Sequence, residues 1–390
     1  MTRDLGARHR EAHVGKQPGL TSLADVSLSL LVGRSRSRTD RVEADLQRKL
    51  GKSIASHDRM MPVKAVRIHE DGGLDVLRYE DVPDPSPGPG EVLIELRATS
   101  LNHLDVWVRQ GLPSAPKPHI LGADGAGVVA ALGEGVDGFS IGERVVINPG
   151  LEHGPIISIV GEHADGTHCE LFAIAAEQVF PLDERLSFEE GAAFPLVYET
   201  AYRMLVTRAR VVEGEWALIW GIGGGVATAA FEICRALGVH TIVTSGSDWK
   251  LEQAREWGAE VTVNHAAGDV VAAVKEATGK GVHVVIETVG EATWARSLAA
   301  VRPQGRVVVC GATSGPNPPA QLHRFWWKQL DVLGSTMGTR EDFLGVYDLV
   351  RDGRARVHID RVFPLSEIRT AHERLEAGEQ LGKIVLSIPG

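Results

Sequence analysis

Trp216-Ala-Leu-Ile-Trp220-Gly221-Ile-Gly223-Gly224-Gly225-Val226-Ala227-Thr-Ala-Ala-Phe-Glu-Ile-Cys-Arg-Ala-Leu237-Gly238-Val-His-Thr241-Ile-Val-Thr244-Ser245 is the stretch that decides the fold of this chain. An apolar strand runs into a glycine cluster. A helix-compatible segment follows, and Gly238 separates it from a second, β-branched strand. Strand, glycine loop, helix and strand in that order make a dinucleotide-binding unit. Glycines let main-chain amides approach a pyrophosphate, and the helix N-terminus meets it with positive dipole. The strict G-x-G-x-x-G spacing fails, because Val226 stands in its last position. The looser Gly221-x-x-Gly224-x-x-Ala227 fits, with Ala227 as the small residue where helix meets sheet. Gly221, Gly223, Gly224, Gly225 and Val226 are therefore the expected cofactor cradle, and the chain reads as a redox enzyme.

The second strand ends in Ser245-Gly-Ser247-Asp248-Trp-Lys250. Sites for NAD usually place a carboxylate here to hold the ribose 2′-hydroxyl. Ser245 removes the charge that would repel a 2′-phosphate, and Lys250 lies one helical turn on as a cation. NADP(H) is the expected cofactor. Ser245 and Ser247 also suit the start of the next helix, with Asp248 in its first turn, and both roles can hold together.

Outward from this unit, 390 residues suffice for two domains with real cores at roughly 150 residues each. Apolar content of 43% and charged content of 24% are those of a soluble globular protein. No apolar run approaches the ~20 residues of a membrane span. Residues 1–60 hold 12 Lys/Arg against 7 Asp/Glu, and residues 61–390 hold 29 against 44. An acidic body argues against nucleic acid as a partner. Cys169, Cys234 and Cys310 are widely spaced without a C-x-x-C pair, which fits free thiols in the cytoplasm. Residues 1–60, with the basic run Arg34-Ser-Arg-Ser-Arg38, read as a disordered extension.

Residues 61 to about 180 read as short strands broken by turns, the pattern of a small β-barrel. Gly122-Ala-Asp-Gly-Ala-Gly-Val-Val-Ala-Ala-Leu-Gly-Glu-Gly-Val136 punctuates two of them. From about 199 to 340 strands and helices alternate, which gives a parallel sheet flanked by helices. The last fifty residues read as helix, short strand, helix and the closing strand Gly382–Ile388.

A β-rich first domain, a Rossmann domain and a C-terminus that folds back resemble the medium-chain dehydrogenase/reductase superfamily over about 61–390. The Gly122–Val136 pattern, Gly142-Glu-Arg-Val, Gly221–Ala227, Arg302–Val309 and Gly382-Lys383-Ile-Val-Leu386 carry the resemblance. It implies an α/β protein: a doubly wound parallel Rossmann sheet over 199–340, plus a GroES-like β-barrel catalytic domain over 61–198 completed by 341–390. Zinc alcohol dehydrogenases of this superfamily hold a catalytic zinc on Cys, His and Cys. Here the three positions are Asn102, Ala123 and Leu196, none of which binds zinc. The second-zinc lobe, with its four cysteines, corresponds to Leu151–Gly161, which has none. His153, His163, His168 and Cys169 cluster in sequence but match no metal-ligand spacing. Zinc is not expected.

Ser100-Leu-Asn102-His-Leu-Asp105-Val-Trp107-Val-Arg109-Gln-Gly111 is similar to the Asn-x-x-Asp-x-Tyr-x-Arg-x-Gly segment of the zinc-free, quinone oxidoreductase-like branch, with Trp107 replacing the tyrosine. The resemblance makes Asn102, His103, Asp105 and Trp107 the catalytic candidates. Asn102 either donates its amide to an acceptor carbonyl or caps the helix that starts at His103. Asp105 either faces the site or bonds nearby backbone. Trp107 is a wall for a flat acceptor or plain core, and His103 a proton relay or a structural residue. Tyr198 and Thr200 fall where the family contacts nicotinamide. Gly311-Ala312-Thr313 and Ser335-Thr336 follow strand ends, where open sheets bind ligands. By resemblance Lys383 reaches the pyrophosphate, and Phe325-Trp326-Trp327 lines either a cleft or a dimer surface.

The expected activity is hydride transfer from NADPH to a quinone, enone or similar small conjugated carbonyl, in a homodimer. The alternatives are an alcohol dehydrogenase with an unrecognised metal site and a non-catalytic NADPH-binding sensor or structural protein.

Overall fold

The computed structural model describes residues 62–154 and 156–390. The expected disordered extension over 1–60 lies outside the described residues. Ten short strands come first: β1 (Val63–Ile68), β2 (Arg78–Val82), β3 (Glu91–Ser100), β4 (His119–Ile120), β5 (Asp124–Leu132), β6 (Arg144–Ile147), β7 (Gly150–His153), β8 (Ile156–Ile159), β9 (Leu171–Ala175) and β10 (Val179–Pro181). A short helix, α1 (His103–Arg109), follows β3. Strand β5 lies antiparallel against β3, and Gly127 permits the approach: a Cβ there would stand 2.8 Å from Leu96 Cα. That contact is the physical content of the glycine pattern seen in the sequence.

Two helices that the strand-and-turn reading did not anticipate, α2 (Phe188–Ala193) and α3 (Pro195–Tyr202), lead out of the first domain. Ser187 opens α2 with a capping box closed by Glu190, and Pro195 stands at the start of α3. The face of α2 is only Gly191, Ala192 and Ala193, and α3 is buried from Pro195 to Ala201, so neither shows a one-sided helical period in the sequence.

The alternating region then builds β11 (Trp216–Ile219), α4 (Gly225–Ala236), β12 (His240–Ser245), α5 (Asp248–Glu256), β13 (Val261–Asn264), α6 (Val270–Thr278), β14 (Val282–Glu287), α7 (Trp294–Ala300), β15 (Val301–Val309), α8 (Leu322–Lys328) and β16 (Asp331–Gly334). The six strands pair in parallel in the order β13-β12-β11-β14-β15-β16. Counted within the domain this is 3-2-1-4-5-6, the doubly wound arrangement, with its reversal between β11 and β14. Central strands such as β11 and β14 are buried on both faces, which is why they read as continuous apolar runs.

The chain returns through α9 (Arg340–Arg351), β17 (Ile359–Pro364), α10 (Ile368–Glu376) and β18 (Lys383–Ser387). Strand β18 pairs antiparallel with β3 and parallel with β17, so the final strand completes the first domain's seven-stranded sheet. Buried Arg109 at the end of α1 ties the first domain to the returning helix α10: its Nη1 donates to Glu376 Oε1 at 2.7 Å and to His372 Nδ1 at 3.2 Å. No helix among the described residues is long and apolar enough to cross a membrane.

Candidate active site

A cleft of about 560 Å³ runs along the carboxyl ends of the parallel strands and is closed on the other side by α1, Ile159, Glu162 and the segment 378–384. Its nucleotide half is made by strand ends: Trp220 and Gly221 after β11, Ser245 and Gly246 at β12, His265 after β13, Thr288 after β14, Cys310 and Gly311 after β15. Gly221 and Gly223 hold φ of +70° and +115°, a region that side chains disfavour. Gly224 precedes α4 without a side-chain cap, so the first-turn amides have no intrahelical acceptor and the dipole is unmet. A bare glycine loop against an uncapped helix N-terminus fits a dinucleotide pyrophosphate.

At the Ser245 end, the Ser245 hydroxyl accepts from Ser247 N–H at 3.1 Å. Asp248, the carboxylate nearest in sequence, is held by Asn264 Nδ2 at 2.7 Å and does not line the cleft. Lys250 does, with its ammonium donating to the Gly378 carbonyl at 2.6 Å; burial holds its pKa below the usual lysine range. The cation expected to be free is thus engaged by the returning C-terminal segment. His265, which the sequence reading missed, lines the wall beside Gly246, and burial together with Arg296 lowers its pKa.

The opposite half is organised around one carboxylate. Asp124, at the start of β5 and fully buried, accepts from Ser100 Oγ at 2.8 Å, Asn102 Nδ2 at 2.9 Å, Lys383 Nζ at 3.1 Å and the Leu196 N–H at 2.7 Å. Lys383 Nζ also donates to Asn102 Oδ1 at 2.5 Å. Asn102 and Lys383 both border the cleft. Lys383 therefore ends at the catalytic candidates rather than where a pyrophosphate cation was expected. It is the first residue of β18, and the pairing of β18 with β3 carries it toward Asn102 just beyond the end of β3.

Of the other catalytic candidates, His103 and Trp107 are half-buried on the cleft-facing side of α1. Burial, and then Lys383, lower the His103 pKa, which favours the neutral ring. Asp105 points away: its oxygens accept from Asn102 N–H at 2.7 Å and Gly122 N–H at 2.9 Å, so it fixes the helix start and the glycine turn. Tyr198 is buried and donates to the Arg356 carbonyl, away from the cleft. Thr200, Gly311, Thr313 and Thr336 border the cleft; Ala312, Ser335 and Gly223 support the loops without lining it. Phe325-Trp326-Trp327 does not line it either. Phe325 stands edge-on to Trp294, while Trp326 and Trp327 are 65% and 83% exposed.

Glu287 was not anticipated. Fully buried at the end of β14, it accepts from Val289 N–H, Gly290 N–H, Thr293 Oγ1 and Ser297 Oγ, and so shapes the loop that brings Thr288 and Val289 to the cleft. Its signal in the sequence, an acid at the end of an apolar strand with a threonine six and a serine ten residues on, is too general to single out.

Glu199 on α3 is fully enclosed, with no hydrogen-bond partner for either carboxyl oxygen. Burial, with Asp342 and Asp124 nearby, pushes its pKa well above the ordinary 4.5. A carboxyl with a raised folded-state pKa holds its proton more tightly folded than unfolded. Its stability contribution is complete below about 4.5 and is lost as pH climbs toward the raised value. Glu199→Gln should therefore gain on the wild type by up to about 1.4 kcal/mol per pH unit through that window. Urea unfolding at pH 5 and pH 8 measures it, and an advantage that does not grow with pH contradicts the assignment.

The positions that correspond to catalytic zinc ligands carry an amide already bonded to Asp124 and Lys383, a methyl group and an isobutyl group, so this donor set does not fit zinc. The segment corresponding to the second-zinc lobe forms the hairpin of β7 and β8. Among the described residues, no three His, Cys, Asp or Glu side chains are grouped to hold a metal ion. His168 is buried over Gly122, whereas His163 sits exposed beside Glu162.

A doubly wound sheet with a ligand cleft at its switch point, joined to a β-barrel that supplies the facing wall, defines a dehydrogenase or reductase of the medium-chain class. Residues 88–184 match the alcohol dehydrogenase GroES-like domain and residues 225–352 the zinc-binding dehydrogenase domain. Quinone oxidoreductase of Pseudomonas aeruginosa is 34% identical over 334 residues, covering 83% of this chain and 99% of the relative. A crystal structure of an NAD-dependent alcohol dehydrogenase superposes with a TM-score of 0.81 at 38% identity, over 84% of this chain and all of that one. The 2-octenoyl-CoA carboxylase reductase CinF, solved with NADP and 2-octenoyl-CoA, gives a TM-score of 0.78 at 26% identity, over 84% of this chain and 87% of that one. The chain belongs to the medium-chain dehydrogenase/reductase superfamily and is an oxidoreductase.

Proposed function

We propose that this protein reduces quinones, enones or similar conjugated carbonyls with NADPH and without catalytic zinc. One observation carries the reading. A single cleft joins the glycine cradle to a polar floor of Asn102 and Lys383, and the metal-ligand positions beside that floor hold no zinc donors. When bound, the reduced nicotinamide supplies a hydride. The chain's own groups hold and orient. First-turn amides at Gly225 and Val226 receive the pyrophosphate, while those of Gly221 and Gly224 hold the loop by donating to Thr244 Oγ1 and the Gly221 carbonyl, and Thr200, Gly311, Thr313 and Thr336 flank the ring. Trp107, Leu104, Ile159 and Leu196 offer a flat acceptor an apolar wall and keep water away. Asn102 and Lys383 face its oxygen. The quinone oxidoreductase relative and the 2-octenoyl-CoA carboxylase reductase solved with NADP and 2-octenoyl-CoA, a conjugated thioester, support this acceptor class.

Preference for NADPH rests on the Ser245 end of the cleft, where Ser245, Lys250 and His265 line the wall and the only carboxylate bordering the whole cleft among the described residues is Glu162. Ser245→Asp should raise the Kd for NADPH roughly 10- to 100-fold through like-charge repulsion while improving NADH. Because the alcohol dehydrogenase neighbour is NAD-dependent, kcat/KM with both cofactors is the measurement. A wild type that favours NADH refutes the preference. A panel of quinones and enones tests the activity: binding of NADPH without turnover favours a sensor, and chelator-sensitive alcohol oxidation a metal enzyme.

We also propose a homodimer working in the cytoplasm. Strand β16 has a neighbour on one side only among the described strands, and exposed Val332, Trp326 and Trp327 lie on or beside it. The three cysteines are free, as a reducing compartment keeps them. Sedimentation of the wild type should give twice the mass of the chain, and a monomer overturns the dimer.

A further inference from the structure

We propose that Lys383 is a catalytic residue: its ammonium is the cation that meets the acceptor's oxygen as the hydride arrives, in the place where zinc-dependent members keep their metal. The inference rests on the reductase reading above. All three positions that correspond to zinc ligands lead to the same carboxylate. Asn102 donates to Asp124 through Nδ2, Leu196 donates through its N–H, and Ala123 is the residue next to Asp124 in the chain. The charge bound to that carboxylate is Lys383 Nζ, 3.1 Å away, in a residue only 3% exposed.

An ammonium has three N–H donors, and two are used by Asn102 Oδ1 and Asp124 Oδ2. The remaining one belongs to a residue that borders the cleft. The stem runs past the nucleotide cradle, since a Cβ on Gly225 would lie 3.3 Å from Lys383 Cδ. The lysine thus passes the glycine loop and delivers its charge beyond it. Asn102 alone serves less well, because its oxygen accepts from the lysine and one amide hydrogen is committed to Asp124. The ammonium bound to that oxygen also strengthens the amide's remaining N–H as a donor.

The step balances with the cofactor and acceptor already named. A hydride leaves the reduced nicotinamide, which is oxidised, and forms a new C–H bond on the acceptor carbon, which is reduced. The displaced electron pair moves to the acceptor's oxygen. Lys383 stabilises the charge there and passes its proton to that oxygen, and solvent restores the proton to the amine before the next turnover.

The test compares wild type, Lys383→Met, Lys383→Arg and the double variant Lys383→Met/Asp124→Asn. The double variant removes the unpaired buried carboxylate that Lys383→Met leaves behind, so a folding defect does not hide the answer. Wild type must first turn over a conjugated acceptor with NADPH; if it turns over none, the reductase reading and this inference fall together. With an active wild type, both methionine variants should lose roughly 100-fold in kcat, the loss seen when one oxyanion donor is removed. Their Kd for NADPH, read by fluorescence titration, should stay within about threefold, and Lys383→Arg should recover part of kcat. The deuterium isotope effect on kcat with NADPH labelled at C4 should rise in the methionine variants as hydride transfer becomes the slow step. A Kd for NADPH that rises roughly 100-fold with kcat preserved shows a pyrophosphate ligand and overturns the proposal. A folded double variant that keeps wild-type kcat overturns it as well and leaves the reductase reading standing.

Discussion

Asp124→Ala is expected to lower stability by about 3–5 kcal/mol and to abolish turnover. The magnitude is that of breaking a buried ion pair by removing one member, which leaves the other charged and enclosed. The Asp124 carboxylate accepts four hydrogen bonds, and its loss strips this acceptor from the Lys383 ammonium, one amide hydrogen of Asn102, the Ser100 hydroxyl and the Leu196 N–H at once. Those donors come from β3, the start of α1, α3 and β18, so one side chain fastens three stretches that are far apart in sequence. Asp124→Asn keeps the shape and should cost less, because the amide oxygen still accepts while the ammonium loses its counter-charge. Urea unfolding of both variants separates the effects. A loss below about 1 kcal/mol for the alanine variant means the pair is not the clamp described.

Gly223→Val is expected to weaken NADPH binding by roughly 10- to 100-fold. Its φ of +115° lies where a β-branched residue is strained by about 1–3 kcal/mol. A Cβ would also stand 3.1 Å from the Gln380 carbonyl oxygen and 3.2 Å from Lys250 Cδ. The strain falls on a loop joined to the returning segment, where Gly382 N–H donates to the Gly223 carbonyl at 3.0 Å. Gly223 does not line the cleft itself. The variant should therefore act by displacing Gly224 and the first turn of α4, so that the loss appears in Kd for the cofactor more than in kcat. Fluorescence titration with NADPH checks it, and an unchanged Kd removes the glycine loop from the cofactor site.

The parallel sheet was legible because its central strands are enclosed on both faces and read as apolar runs between helix-compatible segments, so pattern and tertiary environment agree from β11 to β15. Most boundaries there differ by a residue or two, as for β12, read as Thr241–Thr244 and observed as His240–Ser245, but β15, read as Arg306–Cys310, begins five residues earlier at Val301. The helices α2, α3 and α8 were not legible: they are short, α2 buries only glycine and alanine, α3 is buried nearly all round, and α8 buries no residue, so none shows a clear one-sided period. The site divides in the same way. The glycine cradle announces itself through backbone conformation, which only glycine supplies cheaply. Asp124 and Lys383 are 259 residues apart and meet only because β18 pairs with β3. No local pattern encodes that meeting. Asn102 and Asp105 share a motif, yet one faces the cleft and the other the backbone, and periodicity in a seven-residue helix does not separate them.

The central proposal for this enzyme is direct hydride transfer from NADPH to a conjugated acceptor that its own groups polarise. Turnover of an enone by chelator-treated protein, with NADPH carrying deuterium at C4, tests that most directly. The predicted result is undiminished activity with the label carried into a carbon–deuterium bond of the reduced product. Activity that vanishes on chelation and returns with zinc, or product without the label, would contradict it.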